Sequence, residues 1–176
     1  MSSAPPVLHT ERLVMRMHTT DDFEDSAAMW GDPVVARFIG GRPFSREEVW
    51  SRLLRYVGHW AVLGFGYWCV REAQGGRFVG EVGFADLERT LEPGFDGAPE
   101  IGWALASGVH GQGYAREAAD AAMAWGDVHF GNVRTVCMID PTNAPSIRLA
   151  DKLGYVPYAH TTYKDHATIL FERGPR

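Results

Sequence analysis

A glycine-rich loop is the part of the sequence whose residue types best suit the binding of a charged group. Gly108, Gly111 and Gly113 lie between a predicted strand at residues 100–105 and a predicted helix that begins near Ala115. A helix N-terminus presents unpaired main-chain N–H groups and the positive end of the helix dipole. Glycines let an anion approach the main chain closely. The loop therefore predicts a phosphate or pyrophosphate site, with an ordinary tight turn as the alternative.

Two common nucleotide-binding loops do not fit this spacing. No Gly-Lys-Ser/Thr follows the glycines, so the loop is not a Walker loop. The third glycine of a dinucleotide-binding fingerprint is absent, and a hairpin rather than a first strand precedes the loop. The loop therefore matches neither of these two nucleotide-binding patterns, and the ordinary tight turn stays open as the alternative.

A second segment, DPTNAPSIRLADKLGY at residues 140–155, follows a predicted strand and begins a helix. Asn143 is placed to cap this helix, and Ser146 lies in its first turn. The alternative interpretation is a simple capped amphipathic helix that packs its apolar residues inward.

Taken together, the two segments resemble the GNAT acetyltransferase superfamily, and within it the branch of ribosomal-protein N-terminal (alanine/serine) acetyltransferases. The family's acetyl-CoA motif, Arg/Gln-x-x-Gly-x-Gly/Ala, is matched by HGQGYA at residues 110–115 except at His110. The opening phrase LHTERLVMRM is similar to that branch's first strand. The pattern N-x-x-S-x-x-L-x-x-K-x-G-aromatic is met at residues 143–155. The resemblance extends over residues 8–173.

This resemblance implies one acyl-CoA N-acyltransferase domain over residues 1–176, with residues 1–7 as a flexible arm. The implied fold is the α/β GNAT fold, a mixed, mostly antiparallel sheet of about six to seven strands with helices on both faces. The implied reaction is direct transfer of acetyl from acetyl-CoA to a primary amine, either a protein N-terminal α-amine or a small amine. The alternative is a GNAT-fold acyl-CoA sensor or inactive module, favoured by the His110 departure.

The resemblance also assigns cofactor-binding positions. The loop would hold the pyrophosphate through main-chain N–H groups, the strand would hold the pantetheine arm, and the capping asparagine would bind pantetheine or a bridging water. The residues concerned are Trp103, Ala104, Leu105, His110, Gly111, Gln112, Gly113, Tyr114, Ala115, Arg116 and Asn143.

Direct attack on a thioester requires a neutral amine. Most of the amine is protonated at neutral pH, because lysine has a reference pKa of about 10.4 and an α-amine has one of about 7.7–8.0. A carboxylate that removes the proton therefore helps. Glu100 is the first candidate, Glu81 the second, and Asp86 and Asp96 are weaker. The resemblance further implies that a main-chain N–H near Trp103 stabilises the oxyanion. Many relatives use a tyrosine to protonate the thiolate, but Ala150 holds that position, so Ser146 is the nearest substitute.

The overall composition of the sequence argues against several classes of binding partner. The net charge of -5 argues against nucleic acid, and no apolar run approaches the ~20 residues of a membrane span. No basic stretch followed by an apolar stretch begins the sequence, so a signal peptide is not expected. The histidines lack ligand spacing, and Cys69 and Cys137 are expected to be buried thiols. We therefore expect a cytoplasmic protein that binds acetyl-CoA and an amine, with no metal, membrane or nucleic acid. Many relatives are dimers, so a homodimer is one expected assembly.

The remaining elements follow from periodicity and capping residues. The predicted helices are residues 21–30, 45–63, 116–130 and 143–153. The predicted strands are residues 13–17, 67–72, 78–87, 100–105, 133–139, 155–162 and 167–173. Asp21 is the predicted cap of the first helix, and Ser45 with Glu48 forms a capping box for the second. These two helices and the loop at residues 88–99 are expected to shape the acceptor pocket. Acidic Glu88, Glu92 and Asp96 in that loop favour a cationic acceptor.

Overall fold

A computed structural model describes residues 5–175. Its centre is one eight-stranded sheet in the order β1-β2-β3-β4-β5-β6-β8-β7. The strands are β1 (Leu8–His9), β2 (Leu13–Arg16), β3 (Tyr67–Glu72), β4 (Phe78–Ala85), β5 (Glu100–Leu105), β6 (Thr135–Ile139), β7 (Val156–Tyr163) and β8 (His166–Arg173). Within the described chain only β5 and β6 pair in parallel. The predicted mixed, mostly antiparallel sheet is confirmed, with the short β1 as an additional strand.

Helices cover both faces of this sheet, as predicted. They are α1 (Phe23–Trp30), α2 (Pro33–Ala36), α3 (Arg46–Leu63), α4 (Tyr114–His129) and α5 (Ala144–Lys152). On one face, Ala118 and Ala122 of α4 pack in the same core as Trp68. On the other face, Met29 of α1 and Val49 of α3 pack against Cys69. The small alanines of α4 let this helix approach the sheet closely, and both cysteines are free and buried.

The N-termini of the first two long helices differ in how well the sequence predicted them. Asp21 does not cap α1; a turn of 3₁₀ helix precedes this helix, and the Asp22 carboxylate accepts the Thr19 N–H at 2.8 Å. Asp22, which directly precedes α1, makes no side-chain capping hydrogen bond to this helix in the described chain, and its carboxylate lies 2.7 Å from Arg16 instead. The capping box of α3 is confirmed: Ser45 Oγ accepts from the Glu48 N–H, and Glu48 Oε2 accepts from the Ser45 N–H.

Residues near the N-terminus contact the core. The Trp68 indole Nε1 donates to the Pro6 carbonyl at 2.9 Å, and the Trp68 side chain is fully buried. The end of the expected arm at residues 1–7 is therefore held against β3. Residues 1–4 of that arm lie outside the described residues.

The fold opens where its two parallel strands meet. β5 and β6 pair at one position, Glu100 with Val136, and the Val136 N–H donates to the Pro99 carbonyl at 3.0 Å. Beyond this point towards Leu105 the structure records no further pairing of the two strands within residues 5–175. The divergence leaves a gap in the middle of the sheet, and this gap positions the candidate site.

Candidate active site

The glycine-rich loop forms an open cradle of main-chain N–H groups. Gly111 and Gly113 have φ of 76° and 82°, a left-handed conformation that glycine adopts without steric penalty, and Gly113 is the N-cap of α4. No atom lies within 4 Å of a Cβ added at Gly111. In the described chain, the main-chain N–H groups of residues 111–116 donate no hydrogen bond. The loop therefore offers several aligned donors and a helix dipole to an anion.

The side chains of the loop make contacts within the protein. Gln112 Nε2 donates to the Gly108 carbonyl at 3.2 Å, Tyr114 Oη donates to Glu72 Oε1 at 2.7 Å, and Arg116 Nε pairs with Asp120 at 2.5 Å. Of the seven predicted positions from 110 to 116, these three would therefore act through the main chain.

His110, the one departure from the family motif, bonds to the end of strand β5. Its Nε2 lies 2.9 Å from the Leu105 carbonyl oxygen, and since a carbonyl only accepts, this nitrogen carries the proton. The Leu105 carbonyl, at the end of the strand predicted to hold the pantetheine arm, thus accepts one hydrogen bond from His110 and keeps a second lone pair.

Arg12, which was not selected from the sequence, lies in the turn between β1 and β2 and contacts the glycine-rich loop. Its Nη1 donates to the Gln112 carbonyl at 2.9 Å, and its Nε donates to Glu117 Oε2 at 2.7 Å. Thr10 Oγ1 donates to the other Glu117 oxygen at 2.5 Å. Burial raises the pKa of Glu117, but these donors outweigh burial and hold it below its usual range. The sequence signal that could have identified Arg12 was the TER segment at residues 10–12, within the opening phrase LHTERLVMRM.

The main chain of β5 presents donors towards the gap. Ala106 N–H donates to Val79 of β4, whereas the Pro99 carbonyl accepts from β6. Main-chain groups alternate in direction along a strand, so the N–H of Trp103 points towards the β6 side. The Trp103 side chain lies beside the same gap, whereas Ala104 is buried against the opposite face.

The first turn of α5 lies across the gap from Trp103. Asn143 is the N-cap, and its Oδ1 accepts from the Ser146 N–H at 3.2 Å. Ser146 Oγ accepts from Trp103 Nε1 at 3.1 Å, which leaves the hydroxyl proton available for donation. Ala150, at the position of the usual tyrosine acid, is fully buried.

Glu100, the first candidate base, lies at the point where β5 and β6 separate. Its buried carboxylate accepts from Arg89 Nε at 2.7 Å and from Arg89 Nη2 at 3.1 Å. A carboxylate offers about four lone-pair sites, so this fork leaves acceptor capacity on both oxygens. Arg89 in turn lies over the Tyr163 ring, 5.0 Å from its centroid. The fork fixes the orientation of the carboxylate.

Tyr67 was not predicted as a site residue, yet it faces the same space. A Cβ added at Gly102 would lie 1.8 Å from the Tyr67 hydroxyl oxygen. The Tyr67 ring stacks on Tyr56 with centroids 4.7 Å apart and planes at 10°. Burial raises the pKa of Tyr67, and the charge of Glu100 raises it further, so the phenol stays protonated at neutral pH. Trp68, the next residue along β3, points into the core instead.

Glu81, the second candidate base, lies beneath helix α1. Its oxygens accept from Ser26 Oγ and Trp30 Nε1, each at 2.9 Å, and His18 Nε2 lies 3.4 Å away. Burial raises its pKa, but His18 and Trp30 outweigh this effect and hold the pKa below its usual range. Glu81 does not line the cleft, and neither do Asp86 and Asp96.

A cleft of about 400 Å³ joins these groups. Of the predicted site residues, its walls contain Glu100, Trp103, Ala104, Asn143 and Ser146, whereas Leu105 and residues 110–116 lie outside it. The loop at residues 88–99 contributes Arg89 but none of its acidic residues, so the expected acidic lining from Glu88, Glu92 and Asp96 is wrong.

Two further properties concern the described residues as a whole. Within residues 5–175, no three His, Cys, Asp or Glu side chains converge in a way that could hold a metal ion. None of the helices in this part of the chain combines the length and apolar character needed to cross a bilayer.

Comparisons with known proteins identify the family to which a chain of this architecture is similar. A protein from Bordetella pertussis assigned to the GNAT acetyltransferases is 34% identical, with a TM-score of 0.84 over 96% of this chain and 99% of that one. The uncharacterized N-acetyltransferase p20 of Bacillus licheniformis is 24% identical over 84% of this chain and 81% of its own length.

A ribosomal L7/L12 α-N-protein acetyltransferase in complex with coenzyme A shares the fold at 14% identity, with a TM-score of 0.75 over 97% of this chain and 98% of that one. The family model described as acetyltransferase (GNAT) domain matches residues 12–156. The chain therefore belongs to the GNAT acetyltransferase family.

Proposed function

We propose that this protein transfers an acetyl group from acetyl-CoA to a primary amine by direct attack of the amine. The observation that carries the proposal is the meeting of a buried carboxylate and a free hydroxyl donor at the gap between β5 and β6. Glu100 lies on one side of this gap, and Ser146, oriented by Trp103, lies on the other. Acetyl-CoA supplies the activated acyl group as a thioester.

The residues of the cradle fit the cofactor. The free N–H groups of residues 111–116 and the N-terminus of α4 would bind the pyrophosphate. The open space at Gly111 allows the close approach that such binding needs. The coenzyme A complex of a protein with the same fold supports this assignment.

Glu100 would receive a proton from the amine, directly or through water. At pH 7 about one α-amine in ten is neutral, against roughly one lysine in a few thousand. A base therefore helps both acceptor classes and helps lysine-like amines more. The protonated Tyr67 phenol beside Gly102 can donate a hydrogen bond into the same space.

Two donors would assist the acyl group. The Trp103 main-chain N–H, directed at the gap, would stabilise negative charge on the acyl oxygen, and such donors typically lower a barrier by about 3–4 kcal/mol. The Ser146 hydroxyl would donate a hydrogen bond to the departing thiolate, which then takes a proton from water. Since a thiol has a reference pKa of about 8.5, the thiolate is a good leaving group and this hydrogen bond contributes only modestly at neutral pH.

Substitution Glu100→Gln tests the proposal. The amide keeps the size of the side chain but cannot accept a proton, so we expect kcat to fall by about 100-fold, the lower end of general-base contributions. The loss should be largest at low pH, where most of the amine is protonated, whereas the acetyl-CoA Kd should stay unchanged.

Thiol release over pH 6–9 with a panel of amines measures this effect. Asp96→Asn, which removes a carboxylate outside the cleft, is the matched control. Equal rates for Glu100→Gln and the unsubstituted protein at every pH would exclude Glu100 as the base. Acetyl-CoA binding without thiol release for any amine would favour a sensor over an enzyme.

A further inference from the structure

The wall of the cleft formed by α3 and its neighbours is cationic. Five arginine or lysine side chains line the cleft against two carboxylates, a positive excess in a chain whose net charge is -5. The cations are Arg37, Arg52, Arg55, Arg89 and Lys164, and the carboxylates are Glu100 and Asp140. One cation, Arg89, is paired with Glu100. The others leave this wall suited to an anionic group.

Arg52 is the best-positioned of these cations. Its guanidinium lies 4.0 Å from the centroid of the Trp30 ring and 4.8 Å from that of Phe44, and its Nη1 donates to Tyr56 Oη at 3.3 Å. Within residues 5–175 no carboxylate oxygen lies within 4.0 Å of this guanidinium. The aromatic rings hold its planar fork in one orientation, although most of its donors lack a partner.

The absence of a carboxylate partner within the described residues distinguishes Arg52 from other arginines of limited exposure. Half-buried Arg16, Arg71 and Arg134 and buried Arg173 each donate to an aspartate or glutamate. A half-buried guanidinium loses hydration, and a bidentate anion is the partner that best replaces it. The pattern indicates that the partner of Arg52 comes from outside the chain.

A chain of contacts connects Arg52 with the candidate base. Arg52 bonds to Tyr56, Tyr56 stacks on Tyr67, and the Tyr67 hydroxyl lies over Gly102, two residues from Glu100. An anionic group at Arg52 and an amine at Glu100 would therefore belong to one short molecule or to one chain end.

We propose that Arg52 binds a carboxylate of the acceptor, so that the acceptor is a primary amine that also carries a carboxylate. This inference rests on the proposed function for the amine, although the carboxylate site stands on its own geometry. The carboxylate can come from a free amino acid or from an acidic residue next to a peptide N-terminus. The planar fork of arginine matches a carboxylate in both cases.

Binding of acetylated products tests the site without requiring turnover. Titration calorimetry in the presence of coenzyme A compares N-acetylalanine with N-acetylalaninamide for the amino-acid source. It compares acetyl-Ser-Asp-Ala-amide with acetyl-Ser-Asn-Ala-amide for the peptide source. We expect the carboxylate member of one pair to bind at least about tenfold more tightly, the size of effect typical of a charge-assisted pair.

Two substitutions of Arg52 complete the test. Arg52→Gln should reduce the preference to less than about threefold, whereas Arg52→Lys, which keeps the charge but loses the fork, should leave an intermediate preference. Arg148→Gln, which removes an exposed arginine outside the cleft, should leave the preference intact. The coenzyme A Kd should stay the same in every variant.

Equal binding of both members of each pair to the unsubstituted protein would overturn the proposal, and so would an undiminished preference in folded Arg52→Gln. If that variant does not fold, the Arg52→Lys comparison decides in its place, and an unreduced preference would be the contrary result. Absence of thiol release with every amine would refute the proposed function, whereas the binding preference would still decide the carboxylate site.

Discussion

The contact between Tyr67 and Gly102 leads to a prediction that can be worked from distances. Substitution Gly102→Ala adds one methyl group to strand β5, and this methyl would lie 1.8 Å from the Tyr67 hydroxyl oxygen and 3.0 Å from the ring carbon that bears it. Ordinary contacts to a Cβ fall at 3.4–4 Å. The hydroxyl must therefore move by roughly 1.6 Å, or the two strands must separate.

Two effects of this substitution have opposite signs. An alanine stabilises a strand interior by about 0.5–1 kcal/mol relative to glycine. Overpacking costs about 1–3 kcal/mol, and Tyr67 has little freedom to yield because its ring stacks on Tyr56. We expect overpacking to win, with a net loss of about 1–2 kcal/mol in the free energy of unfolding. Turnover should fall as well, because the displaced hydroxyl lies in the cleft beside Glu100.

Urea denaturation of four proteins measures the effect: the unsubstituted chain, Gly102→Ala, Tyr67→Phe and the double variant. Removing the phenol oxygen should restore more than half of the lost stability, because the remaining ring carbon needs to yield by only a few tenths of an ångström. Gly58→Ala in α3, where no atom lies within 4 Å of an added Cβ, should instead stabilise by up to about 1 kcal/mol. A Gly102→Ala protein as stable as its parent, or no rescue by Tyr67→Phe, would refute the assigned position of Tyr67.

Two other predictions concern the cradle and the acid stability of the fold. Gly113→Val should abolish acetyl-CoA binding measured by calorimetry, whereas Gly97→Val, with a similar positive φ of 77° outside the site, should carry a similar strain of about 1–2 kcal/mol and bind normally. Asp22→Asn should cost about 3 kcal/mol at pH 7 because it leaves Arg16 and Arg71 without their shared carboxylate. Burial raises the pKa of Asp22, but the hydrogen bonds from Arg16, the Thr19 N–H and Arg71 lower it by a larger amount, so the pKa lies below its usual range. Its stabilisation is therefore complete above the unfolded pKa of about 3.9 and is lost as the pH falls below it. Denaturation of Asp22→Asn should consequently show a weaker dependence on pH between about 5 and 2, and an unchanged dependence would contradict this account.

Features that depend on local backbone chemistry could be predicted from the sequence. The glycine-rich loop before α4 and the capping box of Ser45 and Glu48 involve residues close together in the chain. The order of strands and helices followed from periodicity for the same reason. Boundaries shifted where a further turn adjoins a helix, as before α1, where a 3₁₀ turn with Thr19 as its N-cap replaces the predicted Asp21 cap. Strand β1, with two residues, is too short to show a period.

The acceptor side of the site depends on contacts that periodicity does not report. Arg89 was assigned no role from the sequence, yet it forms the fork on Glu100 from eleven positions away. Ser146 and Trp103 were selected for separate roles, and their hydrogen bond spans 43 positions. Tyr67 rather than Trp68 lines the cleft because the face of β3 that carries Tyr67 is turned towards it. The sequence does not identify this face, because both faces of the strand carry apolar residues. Such choices are made by tertiary packing.

In the proposed reaction, one face of the sheet would hold the cofactor and the other face would hold the acceptor. Trp103 points to the face of α4 and α5, where the cradle and Ser146 lie, whereas Glu100 and Tyr67 point to the face of α1 and α3. The groups from opposite faces can meet only because β5 and β6 diverge after Glu100. Substitutions on α3, such as those of Arg52, should therefore change which amine is accepted without altering the acetyl-CoA Kd, and substitutions in the loop at residues 108–116 should do the reverse.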